Sequence, residues 1–240
     1  MKDRNLIAFV FLFAAGSLSA GEGTDSSDPR GKGDYHLGFR VAPRISTLGV
    51  GVEMGKGITP NFGVRMGLNY FTYDYSDTVD VEGSAVDANA ELSLKSIALL
   101  GDWHPFKGSF RLTAGVLFNG NRVQANGRVR EASGMVELEL DGVPYQVKGL
   151  QAEAKFNVLA PYLGFGWDST FGDHEHWGFT FDLGVVYTGS PELSFTATGG
   201  DAGSNVFKEE LAKFEKEIED EIAQYARFWP VVSAGLVYQF

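Results

Sequence analysis

Cysteine is absent from the 240 residues of this chain. Its absence excludes a disulfide scaffold, a cysteine-ligated metal site and thiol chemistry. Basic residues are also few, since 20 lysines and arginines stand against 31 acidic residues and give a formal net charge of −11. Because nucleic-acid binding needs a basic surface, this balance predicts that nucleic acid is not a partner.

Long apolar runs are lacking as well. The apolar run Leu6–Ala15 is about half as long as the roughly 20 residues that a membrane-spanning helix needs. Lys2 and Arg4 precede this run and small residues follow it, which is the order typical of a secretory signal peptide. We therefore predict a cleaved signal peptide over residues 1–20, with a buried N-terminal helix as the alternative.

Glycine and a two-residue alternation are what the sequence does contain. Glycine provides 31 residues, about 13% of the chain, against a usual share of about 7%. Small polar residues over 21–33 predict a flexible leader, and a barrel domain is predicted over 34–240. In that domain apolar side chains recur at every second position, the pattern of β-strands. Eight strands are predicted, over residues 35–44, 46–58, 62–76, 88–106, 110–130, 155–170, 178–196 and 228–240.

The predicted links between these strands alternate in length. The short links are 59–61, 107–109 and 172–177, and the long ones are 77–87, 131–154 and 197–227. The first link, 43–46, is an exception because it is short on the long-loop side. Short turns at one end and long loops at the other are typical of outer-membrane barrels. The pattern thus predicts an all-β fold, an eight-stranded antiparallel transmembrane barrel.

The less apolar face of the strands indicates which face contacts lipid. That face is rich in glycine and carries few charges, and lysine is nearly absent from the strands. A water-facing sheet would carry lysine, glutamate and threonine and would avoid exposed strand glycine. Aromatic residues also stand near the strand ends, as in the interfacial girdles of membrane barrels. We therefore predict that the apolar face points to lipid, with a soluble, lipocalin-type barrel as the alternative.

The C-terminus carries a resemblance to known proteins. Its last residues, Gly235-Leu236-Val237-Tyr238-Gln239-Phe240, resemble the assembly signal of bacterial outer-membrane barrels, in which Gly235, Tyr238 and Phe240 take the motif positions. The mature chain resembles the small eight-stranded outer-membrane protein superfamily of the A, X and W types. Residues 102–121 also resemble a family of uncharacterised outer-membrane barrels. The resemblance implies a bacterial outer-membrane location, contact with lipid and lipopolysaccharide, and recognition by the barrel-assembly machinery, but no activity.

Charged residues at inward strand positions form the main candidate site. Opposite charges in a narrow lumen are expected to pair, because an isolated charge there is costly. We interpret them as a structural ion-pair network, with a charged constriction or gate as the alternative. The inward glycines leave space for a small ligand pocket towards the long loops. The predicted network consists of Arg40, Glu53, Arg65, Asp102, Arg111, Asp168 and Asp182.

The last long loop departs from the alternation. Over residues 205–227 apolar residues recur every three or four positions, which predicts an amphipathic helix with Asn205 as its N-cap. We expect the helix to cover the barrel mouth or a neighbouring loop, with a docking surface or an interfacial helix on the outer leaflet as the alternatives. The stretch Met135–Val147, with a turn at Asp141-Gly142, predicts a hairpin in another long loop. The predicted apolar stripe of the helix is Phe207, Leu211, Phe214, Ile218, Ile222 and Tyr225.

Motifs of catalysis are missing. No nucleophile elbow and no phosphate-binding loop occurs. His174 and His176 form a lone His-x-His without a surrounding zinc pattern, so we expect no metal and no cofactor. The sequence predicts a monomeric, non-enzymatic barrel with a structural or surface-binding role and a largely closed polar lumen. The alternative is a narrow channel or carrier for small or apolar solutes.

Overall fold

The computed structural model describes residues 37–81, 83–130 and 134–240. The predicted signal peptide and leader lie outside the described residues. Among the described residues, no helix combines the length and the apolar character needed to cross a bilayer. The elements are β1 (Phe39–Ser46), β2 (Gly49–Thr59), β3 (Phe62–Val81), β4 (Ser84–Trp103), β5 (Phe110–Asn119), β6 (Arg122–Val129), β7 (Val136–Leu140), β8 (Val143–Val147), β9 (Gly149–Lys155), β10 (Leu159–Asp168), β11 (Trp177–Tyr187), β12 (Glu192–Thr198), a short 3-10 helix (Gly200–Gly203), α1 (Asn205–Ala226) and β13 (Phe228–Gln239).

Eight of these strands close an antiparallel barrel, which confirms the predicted fold. Their order around the barrel is β1, β2, β3, β4, β5, β10, β11 and β13, and β13 pairs with β1 to complete the ring. The alternation sorts side chains by face, since Val64 is 51% exposed on the outside while its neighbour Arg65 is 4% exposed in the lumen. The apolar face therefore points outward, as predicted for a membrane barrel.

Several predicted boundaries differ from the structure. The long link predicted over 77–87 is almost entirely strand, because β3 continues to Val81 and β4 begins at Ser84. The first turn is at residues 47–48 rather than at 43–46, because β1 continues through Pro43 to Ser46 and pairs with β2 along its whole length. The turn still lies at the end that carries the long links, which we call the long-loop end. The opposite end, with the turns after β2, β4 and β10, is the short-turn end.

Two long predicted strands are each divided in two, and one strand lies where a link was predicted. The strands predicted over 110–130 and 178–196 are broken near residues 120 and 189, and β9 lies almost entirely within the predicted link 131–154. The parts nearest the short-turn end, β5 and β11, belong to the barrel. β6, β9 and β12 pair in series with the distal half of β4. With the distal β3–β4 hairpin they form a five-stranded sheet at the long-loop end, which we call the distal sheet.

Part-way along β3 and β4, the outward positions change from apolar to polar and the inward positions from polar to apolar. A switch of outward positions from apolar to polar marks the level at which a lipid-facing surface ends. The apolar part of β3 covers nine residues, or about 27 Å of strand, and at a tilt of about 40° it spans roughly 21 Å, close to the usual apolar band of about 25 Å. The outward positions of β3 are Phe62, Val64, Met66, Leu68 and Tyr70 below this level and Thr72, Asp74, Ser76, Thr78 and Asp80 above it.

The predicted hairpin and helix are both present beside the distal sheet. β7 and β8 pair around Asp141-Gly142, whose φ angles of 48° and 76° are both positive, as a tight two-residue hairpin turn requires. The N-cap of α1 is Ser204 rather than Asn205, because the Ser204 hydroxyl accepts a hydrogen bond from the Phe207 N–H at 3.1 Å.

The apolar stripe of α1 is mostly covered. Phe207 and Leu211 are buried against the β7–β8 hairpin, and the ring of Phe214 lies 5.7 Å from that of Phe195 in β12. Ile218 and Ile222 are half-buried. Tyr225, which the sequence placed in the stripe, is 77% exposed, and the buried side of the helix continues instead through Ala223 and Ala226.

The helix also protects the free edge of the distal sheet. β12 is the last strand of that sheet and pairs with β9 alone. Glu219 accepts a hydrogen bond from the Leu193 N–H at 2.7 Å, and Glu215 accepts one from the Phe195 N–H at 2.9 Å. An exposed strand edge offers unpaired N–H groups to other chains. Here two carboxylates of α1 satisfy such groups, which explains part of the acidic character of the helix.

Candidate functional site in the barrel lumen

All seven predicted lumen residues meet inside the barrel, and each comes from a different strand. β1, β2, β3, β4, β5, β10 and β11 contribute one residue apiece. Each side chain is inward because its neighbours in sequence face outward. The seven residues are buried and lie in the half of the lumen nearer the short-turn end.

Arg65 lies at the centre of the network. Its Nη1 donates to Glu53 Oε1 at 2.9 Å and to Asp182 Oδ2 at 3.3 Å, and its Nη2 donates to Asp102 Oδ1 at 2.9 Å. The hydroxyl of Thr113 donates to the same Asp102 oxygen at 2.7 Å. One guanidinium thus links β3 to β2, β4, β5 and β11, and its planar fork fixes the spacing of three carboxylates.

Arg111 forms a second centre and is fully buried. Its Nη2 donates to Asp182 Oδ1 at 2.9 Å and to the Thr180 hydroxyl at 2.8 Å, and its Nη1 donates to Asp168 Oδ2 at 3.2 Å. Arg40 pairs with the same Asp168 oxygen from the other side. Asp168 and Asp182 are therefore each shared between arginines, which joins the pairs into one network.

Arg44 belongs to this network, although it was not among the predicted residues. It pairs with Glu53 and Asp182 and donates to the hydroxyl of Ser233 in β13. Its inclusion makes four arginines face four carboxylates, so the network is electrically balanced. The sequence did indicate this position. Arg44 is four residues after the inward Arg40 and therefore faces inward in a continuous strand, and the apolar Ile45 then faces outward. The proline at position 43 suggested a turn instead.

The short-turn end of the lumen is closed by an aromatic pair. The ring of His104 stacks on that of Phe171 with 3.3 Å between centroids and 4° between planes, and Arg40 lies 4.9 Å from the Phe171 centroid. His104 Nδ1 donates to the Gly108 carbonyl at 2.7 Å. Burial lowers the pKa of His104 to about 4. The Gly108 hydrogen bond and Asp102 oppose this decrease, and Arg111 and Arg40 add to it. The imidazole is therefore neutral at physiological pH.

This neutral histidine predicts a pH dependence of stability. Its pKa is near 6.5 in the unfolded chain and about 4 in the folded barrel, so between these values the unfolded chain binds the proton that the folded one excludes. The free energy of unfolding should fall as pH drops from about 6.5 to about 4. The slope of the unfolding free energy against pH measures the difference in bound protons between the unfolded and folded states. In His104→Gln this difference should be smaller by up to one proton, which denaturant unfolding across that pH range would measure. Equal slopes in the variant and the native chain would contradict the assignment.

An apolar cluster lies in the half of the lumen nearer the long-loop end. Leu48, Leu117, Ala160, Tyr162 and Val231 form a buried cluster there. Between this cluster and the ion pairs is a cavity of about 40 Å³, room for about three water molecules. A second cavity, beside Arg40, is about 10 Å³. The space predicted for a small ligand pocket is thus largely occupied by side chains, since ligand pockets usually measure about 300 Å³ or more.

Two glycines explain how that space is filled. A Cβ at Gly164 or at Gly184 would lie 2.4 Å from the Tyr162 hydroxyl oxygen. The Tyr162 side chain therefore lies across the positions that side chains of β10 and β11 would otherwise take. These two inward glycines make room for the Tyr162 ring rather than for a solute.

Among the described residues, no group of three or more histidine, aspartate or glutamate side chains is placed to hold a metal ion. His174 and His176 lie in the link between β10 and β11 at the short-turn end. Every lumen carboxylate faces an arginine, so the chemistry that the geometry supports is ion pairing between strands.

Comparisons with known proteins find likeness in structure alone. No family model and no curated protein matches the chain, so the resemblance of residues 102–121 to an uncharacterised barrel family stays a prediction. CarO2 of Acinetobacter baumannii matches with 21% sequence identity and a TM-score of 0.53, over 85% of this chain and 99% of that chain. CarO of the same organism matches with 21% identity and a TM-score of 0.49, over 85% and 97%. A major outer membrane protein from Thermus thermophilus matches with 15% identity and a TM-score of 0.41, over 85% and 99%.

The likeness to CarO2 extends over nearly all of that chain and shows a shared fold. This likeness agrees with three features of the structure: the closed ring of eight antiparallel strands, the apolar outer surface and the polar, ion-paired lumen. The chain has the fold of the small eight-stranded outer-membrane barrels, with a distal sheet, a hairpin and one helix at its long-loop end.

Proposed function

We propose that this protein is a non-enzymatic barrel of the bacterial outer membrane with a structural or surface-binding role and a lumen that does not conduct. The observation that carries the proposal is the filling of the lumen. Four arginines, four carboxylates and their threonine and serine partners occupy one half, and an apolar cluster occupies the other. The larger of the two cavities near them measures about 40 Å³, which is too small for a hydrated solute path.

The outer surface supports the location. Large apolar side chains cover the outside of the barrel, and polar ones replace them beyond Tyr70. The short-turn end would face the periplasm and the distal sheet would face the exterior, as in other outer-membrane barrels. Because every barrel strand has two neighbours, the barrel leaves no free edge, which supports a monomer in contact with lipid and lipopolysaccharide.

The C-terminal strand supports recognition by the barrel-assembly machinery. β13 carries Gly235 and Tyr238 and is followed by Phe240, which is exposed. The Tyr238 ring lies 4.9 Å from the rings of both Trp177 and Phe240. This aromatic group stands at the short-turn end, where an assembly factor in the periplasm would meet it. β13 also pairs with β1 and so closes the barrel.

Planar-bilayer conductance tests the closed lumen. The refolded protein should give no discrete current steps under conditions in which a general porin does. Steps in the intact protein would favour the alternative, a narrow channel or carrier, and would make Arg44 and Arg65 the first residues to replace. A variant without residues 205–226 should also be silent, because the ion pairs and the apolar cluster, rather than α1, fill the lumen. Steps in the deletion variant alone would make the helix a lid and would contradict the proposal.

A further inference from the structure

Three basic side chains form a row on the outward face at the base of the distal sheet. Arg122 of β6 is paired in register with Ser93 of β4 on one side and with Lys155 of β9 on the other. Lys95 lies two residues beyond Ser93 on β4 and therefore has the same outward parity. Neighbours of this kind stand about 5 Å apart across a strand pair and about 7 to 8 Å apart on the diagonal. The row is thus compact enough to contact one anionic group.

The row lies just beyond the lipid-facing surface. The last outward apolar side chains are exposed: Tyr70 is the register partner of Lys95, and Ile97 and Leu159 lie nearer the short-turn end. The Lys95 ammonium lies 5.5 Å from the centroid of the Tyr70 ring, so its stem lies along the aromatic side chain that ends the apolar band. Positions farther out on the same face are polar. A lysine or arginine at this level reaches lipid headgroups while its methylene stem covers apolar surface.

The cations of the row are incompletely neutralised by the protein. Arg122 Nε lies 3.0 Å from Glu153 Oε1 and Lys155 Nζ lies 3.1 Å from Glu153 Oε2, so one carboxylate is shared by two cations. The Arg122 and Lys155 side chains remain 51% and 52% exposed. Glu192 of β12 ends the row as the register partner of Lys155. The row therefore has a net positive charge in a chain whose overall charge is −11.

We propose that Lys95, Arg122 and Lys155 bind the phosphate groups of the outer-leaflet glycolipid, the lipid A part of lipopolysaccharide. This proposal rests on the outer-membrane location proposed above. Acyl chains would contact the apolar band below the row while a phosphate accepts charge-assisted hydrogen bonds from the three side chains. The site would then hold the lipid directly, without a bridging divalent cation, although the chain as a whole is acidic.

The test is binding of purified lipid A to the folded full-length chain in micelles of a neutral detergent with chelator present. Diphosphorylated lipid A should bind at least ten times more tightly than the same lipid without phosphates. The triple variant Lys95→Gln, Arg122→Gln, Lys155→Gln should lose this preference. The matched control replaces Lys208, Lys213 and Lys216 of α1 with glutamine, removes the same charge, and should bind as the native chain does.

Each contrary outcome overturns the proposal in a recognisable way. Equal binding of the two lipids to the native chain, or unchanged binding by the triple variant, would remove the site. An equal loss in the helix control would mean that net charge, rather than this row, determines binding. Competition by inorganic phosphate at the same concentration as lipid A would indicate a free-anion site. A heat-dependent shift in gel migration reports the folded barrel separately, so a failure of lipid binding is distinguishable from a failure of the proposed membrane fold.

Discussion

The Arg65→Ala variant is expected to lose about 3 to 5 kcal/mol of unfolding free energy, because removing one partner of a buried ion pair leaves the other charge uncompensated. Glu53, Asp102 and Asp182 all lose a hydrogen-bond donor in this variant. They lie in a lumen where water has little room to replace the guanidinium. The loss should be measured by urea unfolding of the barrel in lipid vesicles, followed by tryptophan fluorescence.

An exposed ion pair provides the matched control. Arg130 pairs with Asp87 on the polar face of the distal sheet, and the two side chains are 59% and 43% exposed. Arg130→Ala makes the same substitution at a water-accessible position, and it should lower the unfolding free energy by less than about 1 kcal/mol. If Arg65→Ala costs no more than Arg130→Ala, the lumen charges do not act as a structural network.

The Phe207→Ala variant is expected to release the start of α1 from the β7–β8 hairpin. Phe207 is 1% exposed and packs edge-on against Tyr145 with 5.2 Å between ring centroids. Truncating a buried phenylalanine costs about 3 to 5 kcal/mol. That cost falls on a local unit of one helix and one hairpin, so hydrogen exchange of the α1 amides should accelerate strongly while the barrel amides keep their protection.

Tyr225 offers a control on the same helix. Its ring is 77% exposed, so Tyr225→Ala should leave hydrogen exchange in α1 nearly unchanged. Uniform loss of protection across barrel and helix in Phe207→Ala would mean that the distal sheet and the barrel unfold together. Unchanged protection in α1 would contradict its attachment through Phe207.

The fold follows from the sequence because alternation and link length are local properties. Outward Val64 and inward Arg65 differ in polarity wherever the strand lies in lipid, and this pattern needs no knowledge of the partner strand. The seven predicted lumen residues lie together for the same reason, since inward parity in a narrow barrel leaves them nowhere else to lie. Arg44 was missed because proline is common in turns, so Pro43 suggested that the strand ended there. In the structure β1 continues through Pro43, although proline has no backbone N–H to donate.

The division of the long strands could not be obtained in the same way. β5 and β6 have the same parity and both pair with β4, so the alternation runs through the break at residues 120–121 unchanged. The difference lies in the second neighbour, which is β10 for β5 and β9 for β6. Pairing of that kind is a tertiary property. The available local signal was the change from apolar to polar outward positions near Tyr70 and Lys95. Because of this change, both faces of the predicted strand 88–106 carry apolar and polar residues.

The central claim, a lumen filled by side chains, is tested most directly by chemical access. The chain has no cysteine, so a single introduced thiol can be followed without background. Thr113→Cys places a thiol in the ion-pair network, where the native side chain is 1% exposed, and Thr196→Cys places one on an exposed position of β12. A charged, water-soluble thiol reagent should label Thr196→Cys rapidly and leave Thr113→Cys unmodified until the barrel is unfolded. Labelling of both folded variants at similar rates would mean that the lumen is an open aqueous path.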